Sequence, residues 1–271
     1  MATVPSRSIA EIPQQTSRLH WWALRLGGLA LVSIALVWSW RGTEFSLSGL
    51  ASGAPAIARF VNHMTPPDTT GEILAIGLES GLLTLQIALL GTGIGAVFAV
   101  LLGLLAANNL TPEWVHHPLK SLLAIMRSIP ILLLALIFVG AVGLGPFPGV
   151  LAIAIHTIGN LAKLFADECE TAFEGVWEAM DSAGANWSQK VRFAVWPQVA
   201  PQIVSLTLYR FEMNIRESAV LGLVGCAGIG FYIEVYRSQF NYPRVCTMVL
   251  FTMAIVLVVD QLSVQIRKRI S

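Results

Sequence analysis

Long runs of uncharged apolar residues dominate this chain of 271 residues and restrict it to a membrane. Hydrophobic residues make up 55% of the sequence and charged residues only 12%, about half the charged share of an ordinary soluble domain. A helix needs roughly 20 apolar residues to cross a bilayer, and helices satisfy their own backbone hydrogen bonds there. We therefore predict an all-α protein with about six transmembrane helices, near residues 21–40, 78–106, 122–142 (with Pro130 inside), 150–165, from 198 onward, and 244–266.

Basic residues set the expected orientation of these spans. They lie before the first span, between the second and third spans, and at the end of the chain: Arg7, Arg18, Arg25, Lys120, Arg127, Arg267, Lys268 and Arg269. Because such residues collect on the cytoplasmic side, we expect both termini inside the cell. The predicted organisation is a cytoplasmic tail over 1–20, a first transmembrane helix over 21–40, an external loop over 41–72 and a transmembrane domain over 73–271, with a cytoplasmic loop over 167–197.

That cytoplasmic loop is polar, acidic and prone to form helices. Residues 169–197 read CETAFEGVWEAMDSAGANWSQKVRFAVWP. A helix over 168–183 would carry an apolar stripe and an acidic face, formed respectively by Phe173, Val176, Trp177 and Met180, and by Glu170, Glu174, Glu178 and Asp181. Gly184 permits a sharp reversal, residues 186–195 suit a second short helix, and Pro197 begins the next span. Anionic lipid would repel the acidic face, so this helix suits a groove on another protein better than the membrane surface. An ordinary solvated connector is the less favoured alternative.

The spacing within this loop resembles the EAA loop of ATP-binding-cassette importer permeases. That motif reads E-A-A, three residues, G, nine residues, then I-x-L-P. Apolar residues replace the usual ones at Met180, Ala194 and Trp196. The resemblance implies that the loop inserts into a cleft on a cytoplasmic ATPase subunit, with the motif positions at Glu178, Ala179, Met180, Gly184, Trp196 and Pro197.

Two further segments narrow the resemblance. Residues 126–168 and 209–230, the latter reading YRFEMNIRESAVLGLVGCAGIG, are similar to permeases of phosphonate and phosphite uptake systems, and the similarity runs from roughly residue 72 to the end. Cys226 and Ala227 depart from that pattern. The resemblance implies a multi-pass permease of the bacterial inner membrane with the type I importer fold. It also implies a homodimer, two cytoplasmic ATPase subunits and an external binding protein that delivers a phosphorus oxyanion or organophosphonate.

Nothing in the sequence indicates chemistry of the chain's own. No Gly-x-x-x-x-Gly-Lys-Ser/Thr motif occurs, and none of the four lysines follows a glycine. The three cysteines and five histidines show no metal-ligand spacing, and a net charge of +1 gives no argument for nucleic acid. We therefore expect no enzyme activity and no cofactor in this chain, with ATP and magnesium bound by the partner ATPase.

The fifth predicted span carries charges that a membrane tolerates only with a partner or water. On a helical wheel Arg210, Asn214 and Glu217 share one face, whereas Glu212 and Arg216 lie nearly opposite, at i,i+4 pairing distance. Two interpretations stay open. The arginines could lower the barrier for an oxyanion, or each could be neutralised by a glutamate and merely tie helices together.

The fourth predicted span adds a polar stripe of its own, formed by His156, Asn160, Lys163 and Asp167. The candidate pathway residues are therefore Arg210, Asn214, Arg216, Glu217 and His156. A rival function is an ion-coupled secondary transporter of a small anion, with Glu212, Glu217 and His156 as proton sites. Such a transporter would not need the EAA spacing, and an intramembrane enzyme is disfavoured because no nucleophile–base pair is apparent.

Overall fold

The computed structural model describes residues 18–43, 46–171 and 174–270, and over those ranges the chain is helical, with no strand. The chain divides into two compact units, an N-terminal unit over 1–60 and a C-terminal unit over 61–271. The helices, in chain order, are α1 (Arg18–Gly42), α2 (Leu47–Met64), α3 (Gly71–Ala106), α4 (Glu113–Ser128), α5 (Ile131–Val142), α6 (Pro146–Glu170), α7 (Glu174–Ser182), α8 (Trp187–Lys190), α9 (Trp196–Leu221), α10 (Ile229–Ser238) and α11 (Tyr242–Ile270).

The N-terminal unit contains α1 and most of α2. Helix α1 covers the first predicted span, and its apolar side chains are exposed, as Leu31 and Trp38 illustrate at 71% and 79%. The predicted external loop over 41–72 contains the 18-residue helix α2. A helix over 21–40 is thus confirmed, whereas its assignment as a span stays a prediction, as does the tail over 1–20, which falls largely outside the described residues.

The C-terminal unit holds helices long and apolar enough to cross a bilayer. Among the described residues there are four such stretches, namely α3, α6, the stretch Trp187–Ser238 that contains α9, and Tyr242–Arg269 within α11. A fifth is possible if α4 and α5 together count as one broken span. The second, fourth, fifth and sixth predicted spans therefore coincide with observed helices.

The third predicted span differs from its prediction. Residues 122–142 do not form one helix, because α4 and α5 meet at an angle of 83°. Pro130 has no N–H to donate and disfavours helical geometry at the residue before it. Ile129 is accordingly extended, with φ −81° and ψ 119°. The break turns α5 into a short helix of 12 residues whose neighbour α4 is amphipathic rather than apolar throughout.

Small residues allow α3 and α6 to pack closely along their length. A Cβ atom added at Gly91 would lie 2.7 Å from Ile153 Cγ2, and one at Gly95 would lie 2.6 Å from Thr157 Cβ. Near the other end, Gly103 makes the same kind of approach to Phe165, 2.8 Å from its Cβ. Helices in lipid associate mainly through such packing, because lipid tails are as apolar as the side chains. This pair is the centre of the C-terminal unit, and α9 packs on both of its members.

We expect Gly95→Ala to lower the thermal stability of the purified chain in detergent. The new methyl group would meet Thr157 and the Ala154 carbonyl oxygen, 3.0 Å away, so a backbone has to shift. Overpacking of this kind costs about 1–3 kcal/mol. Gly140→Ala is the matched control, since a Cβ atom there has nothing within 4 Å. An unchanged melting temperature for Gly95→Ala would contradict the close approach of α3 and α6.

Candidate functional site

The cytoplasmic loop predicted over 167–197, which we call the coupling loop, forms a helical hairpin between α6 and α9. Helix α6 continues to Glu170, α7 runs from Glu174 to Ser182, and residues 172–173 lie outside the described part of the chain. The single helix predicted over 168–183 is therefore divided between the end of α6 and α7. Gly184 adopts φ +72°, the left-handed conformation that favours glycine, so the predicted reversal is confirmed.

The second arm of the hairpin leads without a break into the membrane. Asn186 caps α8, because its side chain accepts from the Gln189 backbone at 3.0 Å and its backbone donates to Gln189 Oε1 at 2.9 Å. One π-helical turn over Val191–Val195 follows, and α9 then begins at Trp196 with Pro197 in its first turn. Residues 187–195 are helical as predicted, but they continue into α9 and do not form a separate short helix, and the prediction of Pro197 at the start of the next span is confirmed.

The connection between α3 and α4 holds the base of this hairpin. Trp187 Nε1 donates to the Leu110 carbonyl at 2.9 Å, and Asn109 Nδ2 donates to the Cys169 carbonyl at 2.9 Å. Glu170 Oε1 accepts from the Asn108 backbone N–H at 3.0 Å and from Lys120 Nζ at 2.5 Å. These hydrogen bonds and this ion pair connect both arms of the hairpin to residues 108–110 and to α4.

Glu170 therefore differs from its prediction. The sequence places it on the acidic face of the loop, but the structure places it at the end of α6 as an anchor. The remaining members of that face, Glu174, Glu178 and Asp181, have side chains outside the described part of the structure. The side chains of Phe173 and Trp177 are outside it as well, so the predicted amphipathic face of α7 stays a prediction.

The described part of the hairpin exposes four large apolar side chains. Phe193 is 61% exposed, Trp187 44%, Trp196 40% and Val176 37%. Ala179 is exposed, and Met180 is partly buried. Arg192 lies over the Phe193 ring, 5.5 Å from its centroid. Exposed clusters of apolar and aromatic side chains mark surfaces that another protein covers.

Charges on α9 form two pairs, and only one of them matches the helical wheel. Arg210 Nη2 donates to both oxygens of Glu217, at 2.9 and 3.3 Å, so these residues share a face as predicted. Glu212 is 7% exposed and pairs with Arg267 of α11 at 2.5 Å. The predicted pair of Glu212 with Arg216 is therefore wrong.

Arg216 lies apart from the other candidate pathway residues. It is exposed, its Nη1 lies 3.4 Å from Met213 Sδ, and it lines an apolar groove with residues of α10 and α11. The wheel places it correctly on the face opposite Arg210. Its role in a pathway stays a prediction that none of these contacts supports.

Four of the five candidate pathway residues are brought together where α3, α6 and α9 meet. Asn214 is fully buried and donates to Thr92 Oγ1 of α3 at 2.7 Å and to Thr157 Oγ1 of α6 at 2.9 Å. Arg210 precedes Asn214 by one turn, and on α6 His156 directly precedes Thr157, which Asn214 bonds. We call His156, Arg210, Asn214 and Glu217 the polar cluster. Arg210 lies roughly 21 Å along α9 from Trp196, near the middle of the helix.

The rest of the polar stripe on α6 leads away from the polar cluster towards the coupling loop. Asn160 Nδ2 donates to the His156 carbonyl at 2.9 Å, and Lys163 forms an ion pair with Asp167 one turn further on. Local bonds thus satisfy these side chains. The expected spacing along one face of α6 is confirmed, and Thr92 and Thr157, which hold Asn214, are the partners that the sequence interpretation missed.

A second contact missed from the sequence joins the start of α3 to α11. Asp68 Oδ2 accepts from Arg244 Nε at 3.1 Å, and the Asp68 carbonyl accepts from the Thr247 hydroxyl at 2.8 Å. The backbone N–H of Thr70 lowers the pKa of the Asp68 carboxyl most, with further lowering by the Thr70 hydroxyl and Arg244. The Asp68 carboxylate consequently stays ionised, and paired with Arg244, to lower pH than an isolated aspartate would.

Metal chemistry finds no support in the described residues. They contain no group of three His, Cys, Asp or Glu side chains that could hold a metal ion. Cys169 and Cys226 are buried as free thiols, and Cys246 is partly buried.

Comparison with solved structures shows the fold. A chain of the MetNI methionine ABC transporter in an inward-facing conformation matches with a TM-score of 0.67 and 18% identity, over 75% of this chain and 100% of that one. A chain of an amino acid ABC transporter with histidines matches with a TM-score of 0.62, over 73% of this chain and 95% of that one. The predicted type I importer permease fold is confirmed.

Comparison of sequences shows the family. The family described as "Binding-protein-dependent transport system inner membrane component" matches residues 99–271. The phosphite transport system permease protein PtxC of Stutzerimonas stutzeri is 37% identical over 92% of this chain and 90% of its own length. The phosphate-import permease protein PhnE of Mycolicibacterium smegmatis is 37% identical over 83% of this chain and 42% of that longer protein. The chain belongs to the family of inner membrane components of binding-protein-dependent transport systems, and it is a multi-pass protein of that membrane.

Proposed function

We propose that this chain is the permease subunit of an ATP-driven importer of phosphorus oxyanions such as phosphite or phosphonate. The single observation that carries the proposal is 37% identity with a phosphite transport system permease over nine-tenths of both chains. The importer fold and the arginine held in the middle of α9 agree with an anionic cargo. Alternating access moves the cargo, with ATP and magnesium bound by the partner ATPase rather than by this chain.

The coupling loop is the surface that this proposal assigns to the ATPase. Its exposed apolar side chains, Phe193 and Trp196 among them, would enter a cleft on that subunit. Because α8, the π-helical turn and α9 follow one another without a break, a displacement of the loop also displaces α9. We assign the contact to the motif positions Glu178, Ala179, Met180, Gly184, Trp196 and Pro197, of which Ala179, Gly184, Trp196 and Pro197 are exposed.

A second copy of the permease is the partner proposed within the membrane. Helix α3 presents an exposed apolar groove of about 720 Å³ that includes Gln86, Gly93 and Phe98. An exposed glutamine amide within an apolar surface is costly against lipid tails, because lipid offers it no hydrogen-bond partner. A second copy would offer such a partner, which supports a homodimer. An external binding protein completes the proposed assembly by delivering cargo.

The rival secondary transporter needs free proton sites, and the structure pairs two of its three candidates. Glu212 bonds Arg267, and Glu217 bonds Arg210. Each of these carboxylates is thus held by a guanidinium partner and does not stand alone as an independent site. This arrangement favours the importer.

We expect Ala179→Arg to abolish co-purification of the ATPase subunit with the permease. Ala179 is exposed, so the substitution leaves the fold intact while it places a bulky charge at the proposed contact. The measurement is the amount of ATPase retained on tagged, full-length permease from membranes, together with the melting temperature of that permease. His117→Arg, at an exposed position on α4, is the control and retains the ATPase. Full retention by Ala179→Arg would refute the docking role of the loop.

A further inference from the structure

The polar cluster contains unsatisfied hydrogen-bonding groups. Among the described residues, three buried side-chain atoms have no hydrogen-bond partner, namely His156 Nδ1, Arg210 Nε and Asn214 Oδ1. All three belong to this one cluster of α6 and α9. An unpaired polar atom in a low-dielectric interior is costly, and its presence in a native protein asks for an explanation. Three such atoms in one cluster leave hydrogen-bonding capacity that a polar ligand could use.

The pair between Arg210 and Glu217 uses only part of the guanidinium. Both of its hydrogen bonds leave from Nη2, while Nε on the same edge has no partner. That edge presents two parallel N–H groups, which fit two oxygens of one phosphoryl or carboxyl group. Glu217 thus occupies half of a fork that a tetrahedral oxyanion could fill. The side chains of Arg210 and Glu217 are 12% and 22% exposed and Nε itself is buried, so cargo reaches the fork only when Glu217 moves away.

Charge balance explains why a glutamate stands at that fork. Arginine keeps its charge at all accessible pH values, and a lone charge in the middle of a membrane helix is expensive. Without cargo, Glu217 neutralises Arg210. With cargo, the oxyanion takes over that task, and Glu217 turns towards the open side, where water has to solvate its negative charge. Arg210 then has an anionic partner at both stages.

We propose that Arg210 binds the oxyanion within the permease and that Glu217 is the counter-ion which the cargo displaces. The other unpaired atoms of the site are His156 Nδ1 and Asn214 Oδ1. The amide oxygen of Asn214 can accept a hydrogen bond from the P–OH group of a monoprotonated oxyanion. Thr92 and Thr157 hold the Asn214 amide in place. This inference rests on the proposed function, because it assigns a place in this chain to the same cargo.

Exchanging the two charged residues distinguishes a cargo-binding role of Arg210 from a purely structural ion pair. If the pair only stabilises the helix, Arg210→Glu with Glu217→Arg restores the pair and therefore restores transport. If Arg210 binds cargo, the swapped variant still assembles but does not restore transport. Its guanidinium then starts from position 217, about two helical turns further along α9, and no longer faces His156 and Asn214 in the same way. Glu212 and Arg267 form the control, because they are a second Arg–Glu ion pair with one member on the same helix, at 2.5 Å against 2.9 Å for Arg210 and Glu217.

The experiment uses the full-length permease with its ATPase and binding protein in proteoliposomes, and phosphite, methylphosphonate and inorganic phosphate as separate probes. The readouts are cargo imported per ATP hydrolysed and the melting temperature of each complex. For the Arg210/Glu217 swap we expect a melting temperature near that of the wild type and a fall of about 100-fold in import, as loss of a charge-assisted fork predicts. The Glu212/Arg267 swap keeps import within about threefold, the level of a structural pair whose charges are restored.

Arg210→Lys keeps the charge and removes the fork, so it decides the matter if the swap does not assemble. We expect it to assemble and to import about tenfold less cargo per ATP, because one ammonium replaces two parallel N–H donors. Wild-type import by either Arg210 variant would overturn this inference and leave the proposed function standing. Failure of the wild-type complex to import any of the three probes would overturn the proposed function, and this inference with it.

Discussion

Polar groups inside the membrane need partners, and helix α9 is positioned by the partners that it finds. Asn214 bonds threonines on α3 and α6, and Glu212 bonds Arg267 on α11. In lipid these bonds have no water to replace them, so they fix the rotation and depth of α9. Close packing at the glycines of α3 then sets how near α6 can lie. Removing the Asn214 bonds would release the element that joins the coupling loop to the polar cluster.

This arrangement gives the protein a mechanical connection between two distant sites. The coupling loop is held at its base by Trp187 and Glu170, and its second arm continues through the π-helical turn into α9. The polar cluster lies near the middle of that same helix. In the proposed function, a push on the exposed aromatic surface of the loop would reach Arg210 through this continuous helical path, as a two-state gate requires.

Local pattern predicted much of this, and long-range contacts account for what it missed. The positions of the second, fourth, fifth and sixth spans follow from runs of apolar residues, the reversal at Gly184 follows from its lack of a side chain, and the shared face of Arg210 and Glu217 follows from their spacing along one helix. The partner of Glu212 does not, because Arg267 lies 55 residues away and a wheel cannot show another helix. The same holds for Asn214, whose threonine partners lie 122 and 57 residues away. Pro130 lies inside the third predicted span, but the sequence did not show that the chain bends there by 83°.

The most direct measurement is uptake of labelled phosphite by proteoliposomes that contain the permease, its ATPase and its binding protein. The account predicts import that requires ATP on the side of the coupling loop, stops when ADP replaces it, and persists when ionophores collapse every ion gradient. Import that proceeds with ADP and disappears with an ionophore would show that ions supply the energy, and it would contradict the claim that a motor drives α9 through the loop.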